Sequence, residues 1–125
     1  MEMHVILDIF SGQPNPRWEL SQEQTSQFLK KIMKLQTKEN YHADSSKNEL
    51  GYRGFIVEEA NFAQKLRRFY IYNGIVNVIE NNSSYALEDK EYSIERWLLQ
   101  TAPNDLGEEV IEYVRQEIEK KIIKS

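Results

Sequence analysis

The sequence predicts a single α+β domain in which a small, largely antiparallel sheet of about four to five strands is packed by about three helices. The dipeptide Asn73-Gly74 tolerates positive φ and separates two apolar, β-branched segments, which is the signature of a type I′ hairpin. Apolar residues recur at helical spacing from Val110 to Ile122. The 125 residues contain no linker or internal repeat, so one domain covering 1–125 is expected.

The first half of the chain is predicted to contain two strands and one helix. Residues 4–10 are largely apolar on both faces, which indicates an internal strand. Ser21, with Gln24 three residues later, forms a capping box that opens a helix extending to about residue 36. Residues 37–48 are polar without an apolar period and predict a surface loop. Residues 55–57 predict a short strand. The sequence of residues 59–65 is compatible with either a linker or a turn of helix.

The second half is predicted to contain the hairpin, one further strand and two helices. The hairpin strands are expected at 68–72 and 75–79, and another strand at 85–87. Residues 91–102 predict a helix that Pro103 ends. Its buried stripe is expected to contain Ile94, Trp97 and Leu98. Asp105 and Glu108 form a second capping pattern, so the last helix is expected to begin there.

Composition excludes several classes of function. With 16 basic and 20 acidic residues the net charge is −4, which disfavours attraction to phosphate backbones, so no nucleic-acid partner is expected. The absence of cysteine excludes disulfides, thiolate metal ligands and cysteine nucleophiles. His4 and His42 lack metal-ligand spacing, and the glycine loop lacks the spacing of a phosphate-binding loop, so no metal and no cofactor are expected. There is no apolar run of membrane length and no leader pattern, so we expect no membrane association and a cytoplasmic location.

Residues 11–18, with the sequence SGQPNPRW, form the first candidate site. Gly12 permits a sharp turn, and Pro14 and Pro16 fix φ near −65°, so the segment is rigid without being helix or sheet. A rigid loop pre-pays ordering entropy and therefore suits recognition. The alternative is that the loop wraps the core and buries its tryptophan. The candidate binding residues of this segment are Gln13, Asn15, Arg17 and Trp18.

Residues 50–55, with the sequence LGYRGF, form the second candidate site. The flanking glycines would let a ligand or a neighbouring backbone approach closely. Tyr52 could then stack on a ligand while Arg53 pairs with an anion. The alternative is that Arg53 pairs with Asp8 inside the protein, because a charged residue in a strand and an arginine between glycines each need a partner. Both interpretations stay open at this point.

The segments VILDIFSG at 5–12, PNP at 14–16, LGYRGF at 50–55 and WLL at 97–99, together with Trp18, resemble a family of small bacterial proteins. That family is marked by the motifs DIFSGxPNPxW and LGYRGF, and the resemblance spans most of the chain. It implies a single domain and a bacterial cytoplasmic setting. It brings no known activity, cofactor or catalytic residue to this chain.

The function expected from the residues is a non-enzymatic protein-interaction module with a protein partner. Rigid loops carrying aromatic and arginine anchors are typical of such surfaces, and no catalytic constellation accompanies them. A regulatory or immunity-like role is expected by analogy of size and acidity. The alternative is a small-molecule-binding or hydrolytic protein in which Arg53 holds an anionic group and Asp8 acts as a base. That pocket would lie near Asp8, Asn15, Tyr52 and Arg53.

Overall fold

The computed structural model describes residues 2–9, 14–39, 51–60 and 67–124. The elements are β1 (Glu2–Leu7), β2 (Arg17–Glu19), α1 (Gln22–Met33), β3 (Gln36–Thr37), β4 (Phe55–Ala60), β5 (Arg67–Tyr72), β6 (Ile75–Glu80), β7 (Ser83–Glu88), α2 (Ser93–Gln100) and α3 (Glu108–Lys124). The strands form one seven-stranded sheet of order β2-β1-β4-β5-β6-β7-β3, and each neighbouring pair is antiparallel. The predicted α+β class is confirmed, with more strands than expected.

The two additional strands are the edges of the sheet. β2 contains three residues and β3 contains two, so neither is long enough to show an alternating pattern in the sequence. β2 pairs with β1, and β3 pairs with β7. The first strand ends at Leu7 rather than at residue 10. The described residues do not include Phe10, residues 40–50, which make up most of the predicted loop, or residues 61–66.

The hairpin is the most accurately predicted element. Asn73 and Gly74 have φ values of 58° and 78°, as a type I′ turn requires at both central positions. They join β5 to β6, which pair along their full length from Tyr72↔Ile75 to Arg67↔Glu80. The turn therefore fixes which residues of these strands face the core.

Two helix starts illustrate a correct and an incorrect prediction. Ser21 and Gln24 form the expected capping box, although α1 ends at Met33 and not near residue 36. Asp105 does not cap α3. It lies inside a 3₁₀ turn, Asn104–Leu106, and Gly107 separates that turn from the helix with a φ of 99°.

None of the helices in the described ranges is long and apolar enough to cross a membrane.

One hydrophobic core lies on a single face of the sheet. The strand residues that face it, with alternation along each strand, are Met3, Val5, Leu7, Phe55, Val57, Phe69, Ile71, Val76 and Val78. Phe28 of α1 packs edge-to-face on Phe69 at 5.0 Å between ring centroids. The predicted stripe of α2 is confirmed for Ile94 and Leu98, which are fully buried, and Trp97 stacks on Phe28 while remaining partly exposed. Val114 and Ile118 bring α3 into the same core.

Candidate functional site

Asp8 and Arg53 pair with each other where the two glycine-containing motifs meet. The Nη2 and Nε atoms of Arg53 lie 2.8 and 3.2 Å from Oδ1 of Asp8. The side-chain amide of Asn15 donates to the same oxygen at 3.3 Å, and its carbonyl oxygen accepts from the backbone N–H of Ile9 at 3.0 Å. We call Asp8, Asn15 and Arg53 the polar brace, because they tie the two motifs together.

Backbone hydrogen bonds hold the polar brace in place. The N–H of Asp8 donates to the carbonyl of Gly54 at 3.0 Å, and the N–H of Arg53 donates to the carbonyl of Asp8 at 2.8 Å. The hydrogen bond to Asp8 raises the pKa of the Arg53 guanidinium above its ordinary value. Because 28% of the arginine side chain and 26% of the aspartate side chain are exposed, screening by water limits the ion pair to about 1 kcal/mol. The brace therefore positions the chain more than it stabilises the fold.

The glycines of the second motif lie against the protein's own atoms. At Gly54, with a φ of +102°, an added Cβ would lie 2.3 Å from the carbonyl oxygen of Ile71. At Gly51, with a φ of +90°, it would lie 2.3 Å from the hydroxyl of Tyr113 on α3. The sequence analysis allowed either a ligand or a neighbouring backbone to approach these glycines. At Gly54 the backbone of Ile71 makes this close approach.

Tyr52 is buried, and its hydroxyl is bound inside the core. The residue is 3% exposed and donates a 2.5 Å hydrogen bond to Oε2 of Glu95, which is 0% exposed. The other carboxylate oxygen of Glu95 accepts from the backbone N–H of Gly74 at 3.1 Å. Burial raises the pKa of Glu95 above its ordinary value, and burial together with the neighbouring carboxylate raises the pKa of Tyr52. The Tyr52 ring is therefore not a surface for stacking a ligand.

A lysine completes this buried cluster. The Nζ of Lys121 on α3 lies 3.2 Å from the ring centroid of Tyr72 and 5.5 Å from that of Tyr52. Its positive charge favours the ionised form of Glu95 and opposes the effect of burial. The cluster thus joins α2, α3, the hairpin turn and the second motif through one set of polar contacts.

Asp89 is a second buried carboxylate, and it starts α2. It is 2% exposed, and its two oxygens accept from the backbone N–H groups of Ser93 and Ile94 at 3.1 and 2.8 Å. Its own N–H donates to the carbonyl of Gly74 at 2.8 Å. Asp89 therefore satisfies helix N–H groups that would otherwise lack partners, which is a structural role.

Trp18 anchors the first motif to α2. Its Nε1 donates to Oγ1 of Thr101, the residue that ends α2, at 2.9 Å, and its ring packs edge-to-face on Phe55 at 6.5 Å. The side chain is partly buried. Trp18 therefore packs against the protein's own core, while residues 11–13 of the same segment lie outside the described residues.

The sheet face opposite the core carries a row of half-buried apolar side chains. Cross-strand pairing places Arg17, Ile6, Ile56 and Tyr70 next to one another on β2, β1, β4 and β5. Because successive strand residues point to opposite faces, this row lies opposite the core residues of the same strands. Among the described residues, the core cluster includes neither isoleucine and does not include Tyr70.

Charged residues border that row. Glu58 lies between two arginines, with its Oε1 4.0 Å from Nη2 of Arg17 and its Oε2 3.1 Å from Nε of Arg68. The arginine side chains are 61% and 47% exposed, and two arginines against one glutamate leave a net charge of +1. We call the set the open-face patch, and its members are Ile6, Arg17, Ile56, Glu58, Arg68 and Tyr70.

The structure separates the predicted site residues into three places. Asn15 and Arg53 join Asp8 in the polar brace, Trp18 and Tyr52 point into the protein, and Arg17 lies in the open-face patch. Gln13 lies outside the described residues. No group of three or more acidic, histidine or cysteine side chains suited to a metal ion occurs within the described ranges. The binding assignment of the predicted residues stays a prediction.

The sequence analysis did not identify the buried contacts of Glu95 or the sheet face on which Tyr70 lies. A signal for Glu95 existed, because Leu99 follows it by four residues and places both on one helical face next to Ile94 and Leu98. Tyr70 belongs to the basic-aromatic cluster of the sequence, with Arg67, Arg68 and Phe69, and that cluster predicts a solvated strand edge. The face of Tyr70 could be assigned only once Asn73-Gly74 had fixed the register.

Comparisons with protein-family models, curated proteins and solved structures give no match. They therefore add no named family to the motif resemblance described above.

Proposed function

We propose that the protein is a non-enzymatic interaction module that binds a protein partner through the open-face patch. The observation that carries this proposal is a row of apolar and aromatic side chains, flanked by two exposed arginines, on a sheet face that the core does not use. Tyrosine and arginine are enriched among residues that dominate interface energies, and apolar neighbours help to exclude water from them. Tyr70, which pairs with Ile56 and lies on the same strand as Arg68, is the anchor of the proposed surface.

The charge of the open-face patch favours an acidic partner surface. The patch carries +1 within a chain whose net charge is −4. Complementary charge at the rim of an interface increases the association rate and selects among partners. We therefore expect the partner to present carboxylates around an apolar centre. A bacterial cytoplasmic setting and a regulatory or immunity-like role belong to the same proposal and rest on composition and motif resemblance.

The polar brace supports a non-enzymatic interpretation. Oδ1 of Asp8 already accepts hydrogen bonds from two nitrogens of Arg53 and from the amide of Asn15. These contacts tie the carboxylate to the protein's own side chains and give it a structural role. Tyr52 points away from the brace toward Glu95. The alternative of a hydrolytic pocket gains no support from this arrangement.

Site-specific photocrosslinking in the native host tests the proposal. A photoreactive phenylalanine analogue replaces Tyr70 in one variant and Tyr85, a 43% exposed tyrosine outside the patch, in the control. We expect one discrete protein adduct at position 70 and none at position 85. The adduct should disappear when Arg17 and Arg68 are both changed to alanine. Equal adducts at both positions, or an adduct that survives the arginine changes, would refute the proposal.

A further inference from the structure

α2 and α3 enclose a groove of about 390 Å³. Its floor is apolar: Leu99 and Ile118 are 6% and 1% exposed, and Ile111 lies beside them. This volume falls in the range of small-ligand sites, about 300–1,000 Å³. No residue of the polar brace or of the open-face patch lines the groove. It is therefore a separate feature of the molecule.

Arginines from both helices line this groove. Arg96 comes from α2 and Arg115 from α3. Arg115 forms an ion pair with Glu112 on its own helix. Arg96 is exposed and forms no ion pair with a carboxylate of the described ranges. Glu119 lines the groove as well, so Arg96 is the guanidinium that suits an anionic head group.

We propose that this groove binds a monoanionic amphiphile, a medium-chain carboxylate whose head group pairs with Arg96 and Arg115 and whose tail covers Leu99, Ile111 and Ile118. The head group would gain charge-assisted hydrogen bonds from guanidinium donors. The tail's own apolar surface would leave water on entering the groove. Neither part alone matches the groove, since an alkane makes no ion pair with Arg96 and a short carboxylate leaves most of the 390 Å³ unfilled.

Glu119 sets the number of charges that the ligand carries. Its carboxylate lines the same groove, on α3. A second anionic group on the ligand would be repelled by it, and because Glu119 is exposed this repulsion should weaken as salt increases. The groove therefore selects a monocarboxylate over a dicarboxylate of equal length.

Titration of the full chain with decanoate tests the proposal, with calorimetry for affinity and amide chemical shifts for location. Decanedioate, acetate and decyltrimethylammonium serve as charge and length controls. We expect saturable binding of decanoate, shifts concentrated on α2 and α3, and weaker binding of each control. Arg96→Gln, an exposed change, should weaken decanoate binding by about tenfold or more, as expected for loss of a hydrogen bond to a charged group. Lys90→Gln, with a side chain 75% exposed and outside the groove, should bind as the wild type does.

The proposal is overturned if decanoate does not saturate, if decyltrimethylammonium binds equally well, or if Arg96→Gln keeps the wild-type affinity. A second variant, Glu119→Gln, tests the selection against two charges. It should raise the affinity for decanedioate toward that for decanoate. An unchanged ratio of the two affinities would show that Glu119 does not set the selectivity, and that part of the proposal would be wrong.

Discussion

The hydroxyl of Tyr52 donates to Oε2 of Glu95 at 2.5 Å, and both residues are buried. This single contact connects the LGYRGF segment to α2, and the second oxygen of Glu95 extends the connection to the hairpin turn at Gly74. Tyr52, a candidate binding residue in the sequence, is therefore part of the buried interior of the protein. The proposed recognition surface, the open-face patch, therefore does not include it.

Tyr52→Phe should destabilise the protein by about 1–3 kcal/mol, because it leaves one oxygen of a buried carboxylate without its donor. The free energy of unfolding from urea denaturation measures the loss. Tyr85→Phe is the matched control, since this tyrosine is 43% exposed, and it should change the free energy by less than about 0.5 kcal/mol. Equal effects of the two substitutions would contradict a structural role for the hydroxyl.

Glu95→Gln should change how stability depends on pH. Burial raises the pKa of Glu95 above its ordinary value of 4.5, although Lys121 opposes the shift and Asp89 adds to it. The folded state therefore holds this proton more tightly than the unfolded state does. Its contribution to stability is present below the unfolded pKa and is lost as the pH rises through the folded pKa.

Unfolding free energies of the wild type and Glu95→Gln, measured between about pH 4.5 and pH 8, test this linkage. The glutamine variant lacks the titration, so the wild type should lose stability relative to it as the pH increases. Parallel curves for the two proteins would mean that Glu95 does not have a raised pKa in the folded state.

Gly54→Ala should cost more stability than Gly107→Ala. Both glycines have positive φ, 102° and 99°, and an alanine at either should cost about 1–3 kcal/mol for backbone strain. Only at Gly54 does the new Cβ also meet the carbonyl oxygen of Ile71, whereas at Gly107 nothing lies within 4 Å. Thermal unfolding of the two variants isolates the steric part, and equal melting temperatures would argue against the close approach to β5.

The polar brace should show energetic coupling between its charged members. A double-mutant cycle with Asp8→Asn and Arg53→Ala should give a coupling energy of about 0.5–1 kcal/mol, since both side chains are partly exposed. Urea denaturation at low and high salt is the measurement, and the coupling should weaken as salt increases. A coupling of zero at low salt would show that the two motifs are not held by this pair.

The features that the sequence predicted well are those set by local chemistry. Asn73-Gly74 adopts positive φ at both positions, and Ser21 with Gln24 forms its capping box, because each depends on a few neighbouring residues. The last helix follows from its apolar spacing, but its start does not. The sequence predicted that the helix begins at Asp105. Asp105 instead lies in a 3₁₀ turn, and α3 begins after Gly107, at Glu108.

The features that could not be predicted depend on pairing between distant segments. β2 and β3 are too short to be predicted without their partners β1 and β7, and the sheet face on which Tyr70 lies follows from the register of the strands. The candidate pair Asp8 and Arg53 was foreseen as one of two alternatives, because each charge needed a partner. The burial of Glu95 was not foreseen. Its hydrogen-bond donors, the hydroxyl of Tyr52 and the backbone N–H of Gly74, come from segments distant in the sequence.

The binding affinity of the partner identified by crosslinking tests the central claim, that the open-face patch is the interaction surface. The comparison uses the wild type, Arg17→Ala/Tyr70→Ala and the control Tyr85→Ala/Lys90→Ala, which removes the same kinds of side chain elsewhere. We expect the patch variant to bind at least about 30-fold more weakly, as for the loss of one dominant interface residue, and the control to bind as the wild type does. Equal affinity of the patch variant and the wild type, with both proteins folded, would contradict the claim.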